Sequence, residues 1–147
     1  MRVALIVCLI AGTAACGGST AAPSPLSSGT TTSIAGTWNG TIASSNNDTV
    51  DVNIVLTQSG ADVNGTWQST TVSWAGDISG AVSGSTFNGQ FTFSGTAANG
   101  TVCKGTAAVA GPATVSTMTL TSASGVVGAA CPAPLPTAIT IDLRRQS

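Results

Sequence analysis

From Ile34 onward, apolar side chains fall on alternate positions, and this constrains the fold more than any other feature of the chain. A period of two places successive side chains on opposite faces of an extended backbone. Such a segment can bury one face of a strand, but not one stripe of a helix, whose period is 3.6. Eight strands are predicted. The first covers Ile34 to Ala43, with Ile34, Gly36, Trp38, Gly40 and Ile42 on the inner face, and the second Thr49 to Gln58, with Val50, Val52, Ile54 and Leu56. The third runs from Asp62 to Ser69 on Val63, Gly65 and Trp67. The fourth runs from Val72 to Ser83 on Val72, Trp74, Gly76, Ile78, Gly80 and Val82. Phe87, Gly89, Phe91 and Phe93 mark the fifth, Cys103, Gly105, Ala107 and Val109 the sixth, Met118 and Leu120 the seventh, and Ile139, Ile141 and Leu143 the eighth.

Glycine recurs on the inner face, where the missing side chain lets a strand coil sharply and facing strands approach. With short links between consecutive strands, this predicts an all-β fold: an eight-stranded antiparallel up-and-down barrel, whose closure removes exposed edges. A β-sandwich is the alternative. In a meander the connections alternate between two ends. Ser59-Gly60-Ala61, Gly84-Ser85 and Gly111-Pro112 make tight turns at one end, the base. Ser44 to Asp48, Ser69 to Thr71, Ala97 to Gly100 and the long Ser122 to Pro136 gather at the other, the mouth.

Charge is sparse, at 6% of residues with a net charge of −1, and there is neither His nor Tyr. Arg2, Lys104, Arg144 and Arg145 are the only cations, which excludes the basic footprint that nucleic-acid binding requires. A Ser or Thr nucleophile has no His to activate it, and Lys104 is outward by parity. The acidic residues are all Asp, and Asp51, Asp62, Asp77 and Asp142 mostly fall at outward positions, unsuited to paired acid-base work. Asn46, Asn47, Asp48 and Asp51 lack the glycine and terminal carboxylate of a calcium loop and read as a turn. The chain therefore reads as non-enzymatic, with no cofactor and no metal.

Ahead of the strands, Met1-Arg2 precedes an apolar run, Val3 to Ile10, too short to span a bilayer, which takes about 20 helical residues. Gly12-Thr13-Ala14-Ala15-Cys16 follows and resembles the lipobox of bacterial lipoproteins, although Thr13 stands where Leu is commonest. The resemblance implies that residues 1–15 are a signal peptide and that Cys16 becomes an acylated N-terminus. It also implies that the membrane is a partner through a lipid anchor. Gly17 in place of Asp after that Cys implies the outer membrane, facing the periplasm or the cell surface. With Cys8 in the discarded segment and Cys16 acylated, Cys103 and Cys131 remain as a pair expected to oxidise outside the cytoplasm. Residues 16–33, rich in Ser, Thr, Gly, Ala and Pro, read as a flexible tether reaching about 20–25 Å, and residues 34–147 as the domain.

Gly36-Thr37-Trp38 resembles the Gly-x-Trp motif in the first strand of the calycins, the lipocalin and avidin group of ligand-binding barrels. That resemblance implies a Trp38 that plugs the barrel base beneath a basic residue of the last strand, here Arg144 or Arg145. Gly65-Thr66-Trp67-Gln68-Ser69 is similar to the third-strand region of avidins, but the later Trp residues of a biotin site are missing. Trp67, Trp74, Phe87, Phe91 and Phe93 are the candidate ligand-binding set, since aromatic residues at a barrel mouth can hold a small apolar ligand. Two functional readings stay open: a barrel that binds such a ligand, and a barrel filled by its own side chains that serves as a structural or protein-interaction module of the cell envelope.

Overall fold

The computed structural model describes residues 30–97, 99–122, 124–131 and 134–147; the expected signal peptide, Cys16 and most of the tether lie outside them. Among the described residues nine strands form: β1 (Gly36–Ser44), β2 (Thr49–Ser59), β3 (Asp62–Ser69), β4 (Trp74–Ser83), β5 (Thr86–Thr96), β6 (Val102–Pro112), β7 (Thr117–Ser122), β8 (Val127–Ala129) and β9 (Ile139–Arg145). Each pairs antiparallel with its neighbours in the order β5-β4-β3-β2-β1-β9-β7-β6, and β5 pairing with β6 closes the ring. That closing ladder is continuous from Thr86↔Pro112 to Thr96↔Val102, so the sheet is a barrel and not two open layers. Eight strands are the expected meander. β8 is additional and pairs with β6 alone, at Lys104↔Ala129 to Thr106↔Val127.

The inner face carries the alternating residues. Trp38, Ile54, Leu56, Val63, Ile78, Val82, Phe87, Phe91, Val109, Met118, Leu120, Ile141 and Leu143 are buried in one cluster, and among the described residues no polar or charged residue is buried. Asp51, Asp62, Asp77 and Asp142 are exposed on the strands, in line with their mostly outward parity, and Asp48 is exposed in a turn.

Four local differences from the expected pattern have physical causes. β4 begins at Trp74, not Val72, because the Ser69 hydroxyl accepts the N–H groups of Thr71 (3.2 Å) and Val72 (3.3 Å) and curls the backbone out of the sheet. Val72 is left 45% exposed. Gly111-Pro112 is not a turn: β6 runs through both, and the chain reverses at Thr114–Thr117. There Thr114 Oγ1 accepts the Thr117 N–H at 2.9 Å. The long β7–β9 connection contains β8, which resumes the line of β7 along β6 after a two-residue offset in register. Finally, the last residues of the expected tether are docked. Thr32 N donates to Gly84 O (3.0 Å), and Gln58 Nε2 donates to Thr32 O (3.1 Å) while its Oε1 accepts the Ile34 N–H (2.7 Å).

This docking seals the base. Ile34 is fully buried, and its carbonyl accepts the indole N–H of fully buried Trp38 at 2.9 Å. Arg145 stands over the Trp38 ring, 6.0 Å from its centroid, and donates to the carbonyls of Val115 (3.3 Å) and Ala35. Gly36 between them has φ +136, and a Cβ there would lie 2.9 Å from the Arg145 guanidinium, so both backbone and packing demand glycine. Arg144 pairs with Asn39 on the outer face and takes no part.

Candidate functional site

At the opposite end the barrel is not filled. A cavity of about 420 Å³ opens at the mouth, walled by Trp67 of β3, Trp74 of β4 and Phe91 and Phe93 of β5. Ile42, Val50 and Ile139 lie deeper or beside them, and the β7–β9 connection contributes Val126, Leu135 and Pro136. The rings form two stacked pairs: Trp67 with Phe91 at 4.5 Å and 24°, and Trp74 with Phe93 at 5.5 Å and 22°. Among the described residues, polar groups enter only from the first strand pair and its turn, as Ser44, Asp48 and Thr49.

The cavity exists because of what stands opposite the rings. Trp67 is in register with Gly76, Trp74 with Gly95 and Phe93 with Gly105. A Cβ on Gly76 would come within 2.8 Å of Trp67 Nε1, one on Gly95 within 2.5 Å of Trp74 Cγ, and one on Gly105 within 2.3 Å of Phe93 Cζ. Each ring therefore lies down on the bare backbone of the next strand instead of projecting across the lumen. Van der Waals contact needs about 3.5–4.0 Å between carbons, so an alanine at Gly95 would push the Trp74 ring inward, whereas at Gly76 and Gly105 a Cβ would also strike the backbone carbonyls of Thr92 and Val127.

Trp67 is held in this pose by a hydrogen bond from its indole N–H to the Thr92 carbonyl at 2.7 Å. That carbonyl is available because the β4–β5 ladder lapses between Ala75↔Ser94 and Ile78↔Phe91. In the gap the Thr92 hydroxyl takes over the ladder's work, accepting the Asp77 N–H at 2.9 Å and donating to the Asp77 carbonyl at 3.4 Å. A buried indole N–H without an acceptor would be costly, so the lapse and the orientation of Trp67 support each other.

The β7–β9 connection is strapped over the mouth from two sides. On one side the Cys103–Cys131 disulfide, spanning 28 residues, ties it to β6. On the other, the Ser45 hydroxyl accepts the N–H groups of Thr137 (2.9 Å) and Ala138 (3.3 Å), and Asn46 Nδ2 donates to Pro134 O (3.1 Å). Val126 N donates to Pro136 O at 3.1 Å, which closes the connection on itself above the rings.

Of the five aromatic residues expected at the ligand site, Trp67, Trp74, Phe91 and Phe93 meet at the mouth and Phe87 does not. Phe87 opens β5 at the base end, fully buried, with its ring over Gly80 and Gly89. Parity placed it inside correctly but says nothing of its height along the barrel axis. Sequence reasoning saw Gly76 and Gly105 as inward glycines without seeing that they bed Trp67 and Phe93; it passed over Gly95 beneath Trp74, and likewise Ser45 as a strap. The pairing of each glycine with an aromatic ring depends on inter-strand register, which no local pattern reveals. A larger hollow of about 650 Å³ lies on the outer face, where Asn53, Val55, Thr66, Gln68, Ala75, Asp77 and Ser94 line it together with Trp67 and Gly76 at the lapse in the β4–β5 ladder.

No family model matches the chain, and no curated protein matches it. Among solved structures it is similar to a redesigned β-barrel, with 13% sequence identity and a TM-score of 0.48 over 78% of this chain and 92% of that one.

Proposed function

We propose that the protein is a membrane-anchored bacterial lipoprotein of the outer membrane whose non-enzymatic barrel holds a small, ring-bearing apolar ligand at its mouth. The observation that carries the ligand reading is the pair of stacked aromatic walls around an open cavity of about 420 Å³. Its size lies within the range of small-molecule sites, roughly 300–1,000 Å³. The anchor reading is supported by the lipobox-like Gly12-Thr13-Ala14-Ala15-Cys16 and by the point at which the chain reaches the domain. Thr32 and Ile34 join it at the sealed base, so a tether from Cys16 would leave the mouth facing away from the bilayer. A calycin-like descent is supported by the Gly36-Thr37-Trp38 plug with Arg145 over its ring.

The test is titration of the full chain in phosphatidylcholine vesicles with the neutral fluorophore N-phenyl-1-naphthylamine, with empty vesicles as the blank. One saturable site that quenches tryptophan emission, weakened by Trp74→Ala, is the expected result. No saturable component above the blank would overturn the ligand reading. It would favour instead a structural or protein-interaction module of the envelope, a reading that the filled lower half of the barrel supports.

A further inference from the structure

We infer that the mouth cavity selects ligands whose apolar ring carries a cationic amine, with Asp48 as the counter-charge; this rests on reading the cavity as a ligand site. Asp48 is the one ionisable side chain among the described residues that line it. The described cations are all elsewhere. Lys104 is exposed on β6, where it pairs with Ala129, and Arg144 and Arg145 sit at the last strand's base end. A bound amine would thus meet a carboxylate with no protein cation competing for it, and a bound carboxylate would meet only like charge.

The backbone that carries Asp48 is fixed. It sits in a tight β1–β2 turn in which Asn47 takes φ 66, the Asn47 N–H donates to Ser44 O at 3.0 Å and the Ser44 N–H donates to Asp48 O at 2.8 Å. The same turn carries Ser45 and Asn46, which hold the β7–β9 connection, so Asp48 is tied to the element that covers the mouth. Among the described residues, polar groups line one arc only, and the remaining wall is aromatic and aliphatic carbon. The chemistry selected is therefore a small apolar arene that carries an amine on a short arm.

Three probes of one shape separate charge from burial: 1-naphthylmethylamine, protonated at pH 7, neutral 1-naphthylmethanol and anionic 1-naphthoate. Each is titrated calorimetrically into the full chain in phosphatidylcholine vesicles at low ionic strength, with empty vesicles as the blank. The amine is expected to bind about threefold to tenfold tighter than the alcohol, as suits one exposed carboxylate at the rim, and the naphthoate more weakly than the alcohol. Asp48→Asn should bring the amine to within about twofold of the alcohol and leave the alcohol unchanged, and salt of about 0.5 M should narrow the same gap in the wild type. Equal affinity for amine and alcohol in the wild type, or a gap that survives Asp48→Asn, overturns the inference while leaving the apolar site standing. Binding by none of the three overturns the ligand reading itself, and the selectivity falls with it.

Discussion

Replacing Trp38 by alanine tests the sealed base directly. The side chain is fully buried, its N–H is bonded to the Ile34 carbonyl at 2.9 Å, and Arg145 covers its ring. Truncation removes the largest residue of the base, leaves the Ile34 carbonyl without its donor and strips the guanidinium of its platform. Core aromatic-to-alanine changes cost about 3–5 kcal/mol when the surroundings cannot collapse, and a closed ring of strands has little freedom to collapse. Measured against a total of about 5–15 kcal/mol for a domain, that is a large fraction of stability. At about 4 °C per kcal/mol for a domain of this size, the melting temperature should fall by about 12–20 °C. Trp38→Phe keeps most of the buried carbon but not the hydrogen bond, and should cost about 1–2 kcal/mol. Urea unfolding followed by far-ultraviolet circular dichroism measures both. A cost for Trp38→Ala below about 1 kcal/mol, or equal costs for the two variants, would refute the plug.

Gly95→Ala puts a Cβ 2.5 Å from Cγ of Trp74, so the half-buried ring must swing toward the cavity. Naphthylamine affinity should drop at least about tenfold, with a stability cost of about 1–3 kcal/mol; unchanged affinity would show that the glycine does not shape the mouth. Removing the disulfide by Cys103→Ala with Cys131→Ala should lower stability by about 3–4 kcal/mol, from the 28-residue loop it closes. Because the Ser45 side of the strap persists, probe binding should survive with an altered association rate, which stopped-flow fluorescence reads; an unaltered rate would deny the connection any part in access. Metabolic labelling with palmitate should mark the wild type and not Cys16→Ser, and equal labelling of both would remove the anchor.

The ring of strands was legible because its cause is local: each strand buries one face, and the period of two records that in every segment. Features set by contacts between strands were not. Val72 keeps the parity of Trp74 and still leaves the sheet, because the Ser69 hydroxyl offers its backbone neighbours a nearer partner than β3 does. Gly111-Pro112 has turn composition and lies within β6, since a threonine three residues later closes the reversal. β8 is three residues of Val, Gly and Ala with no periodicity to read; it forms because β7 covers only part of the edge that β6 presents. The mouth aromatics were found by type and parity, whereas the bare backbone beneath them became visible only once Trp67, Trp74 and Phe93 were set against Gly76, Gly95 and Gly105.

Closure through β5–β6 and β1–β9 also means that no strand owns its register alone. A residue deleted from the middle of β3 would turn the rest of that strand inside out relative to β2 and β4, and no free edge exists at which the mismatch could run off. The whole circuit must accommodate it. A residue added to the β1–β2 connection leaves every ladder in register, and its cost falls on the bonds that Ser45 and Asn46 make to the β7–β9 connection. Length can therefore drift around the mouth while the staves stay fixed. Among descendants of this chain, Asp48 and its neighbours are free to be replaced, lengthened or lost, so what the barrel holds can change many times over without the barrel changing at all.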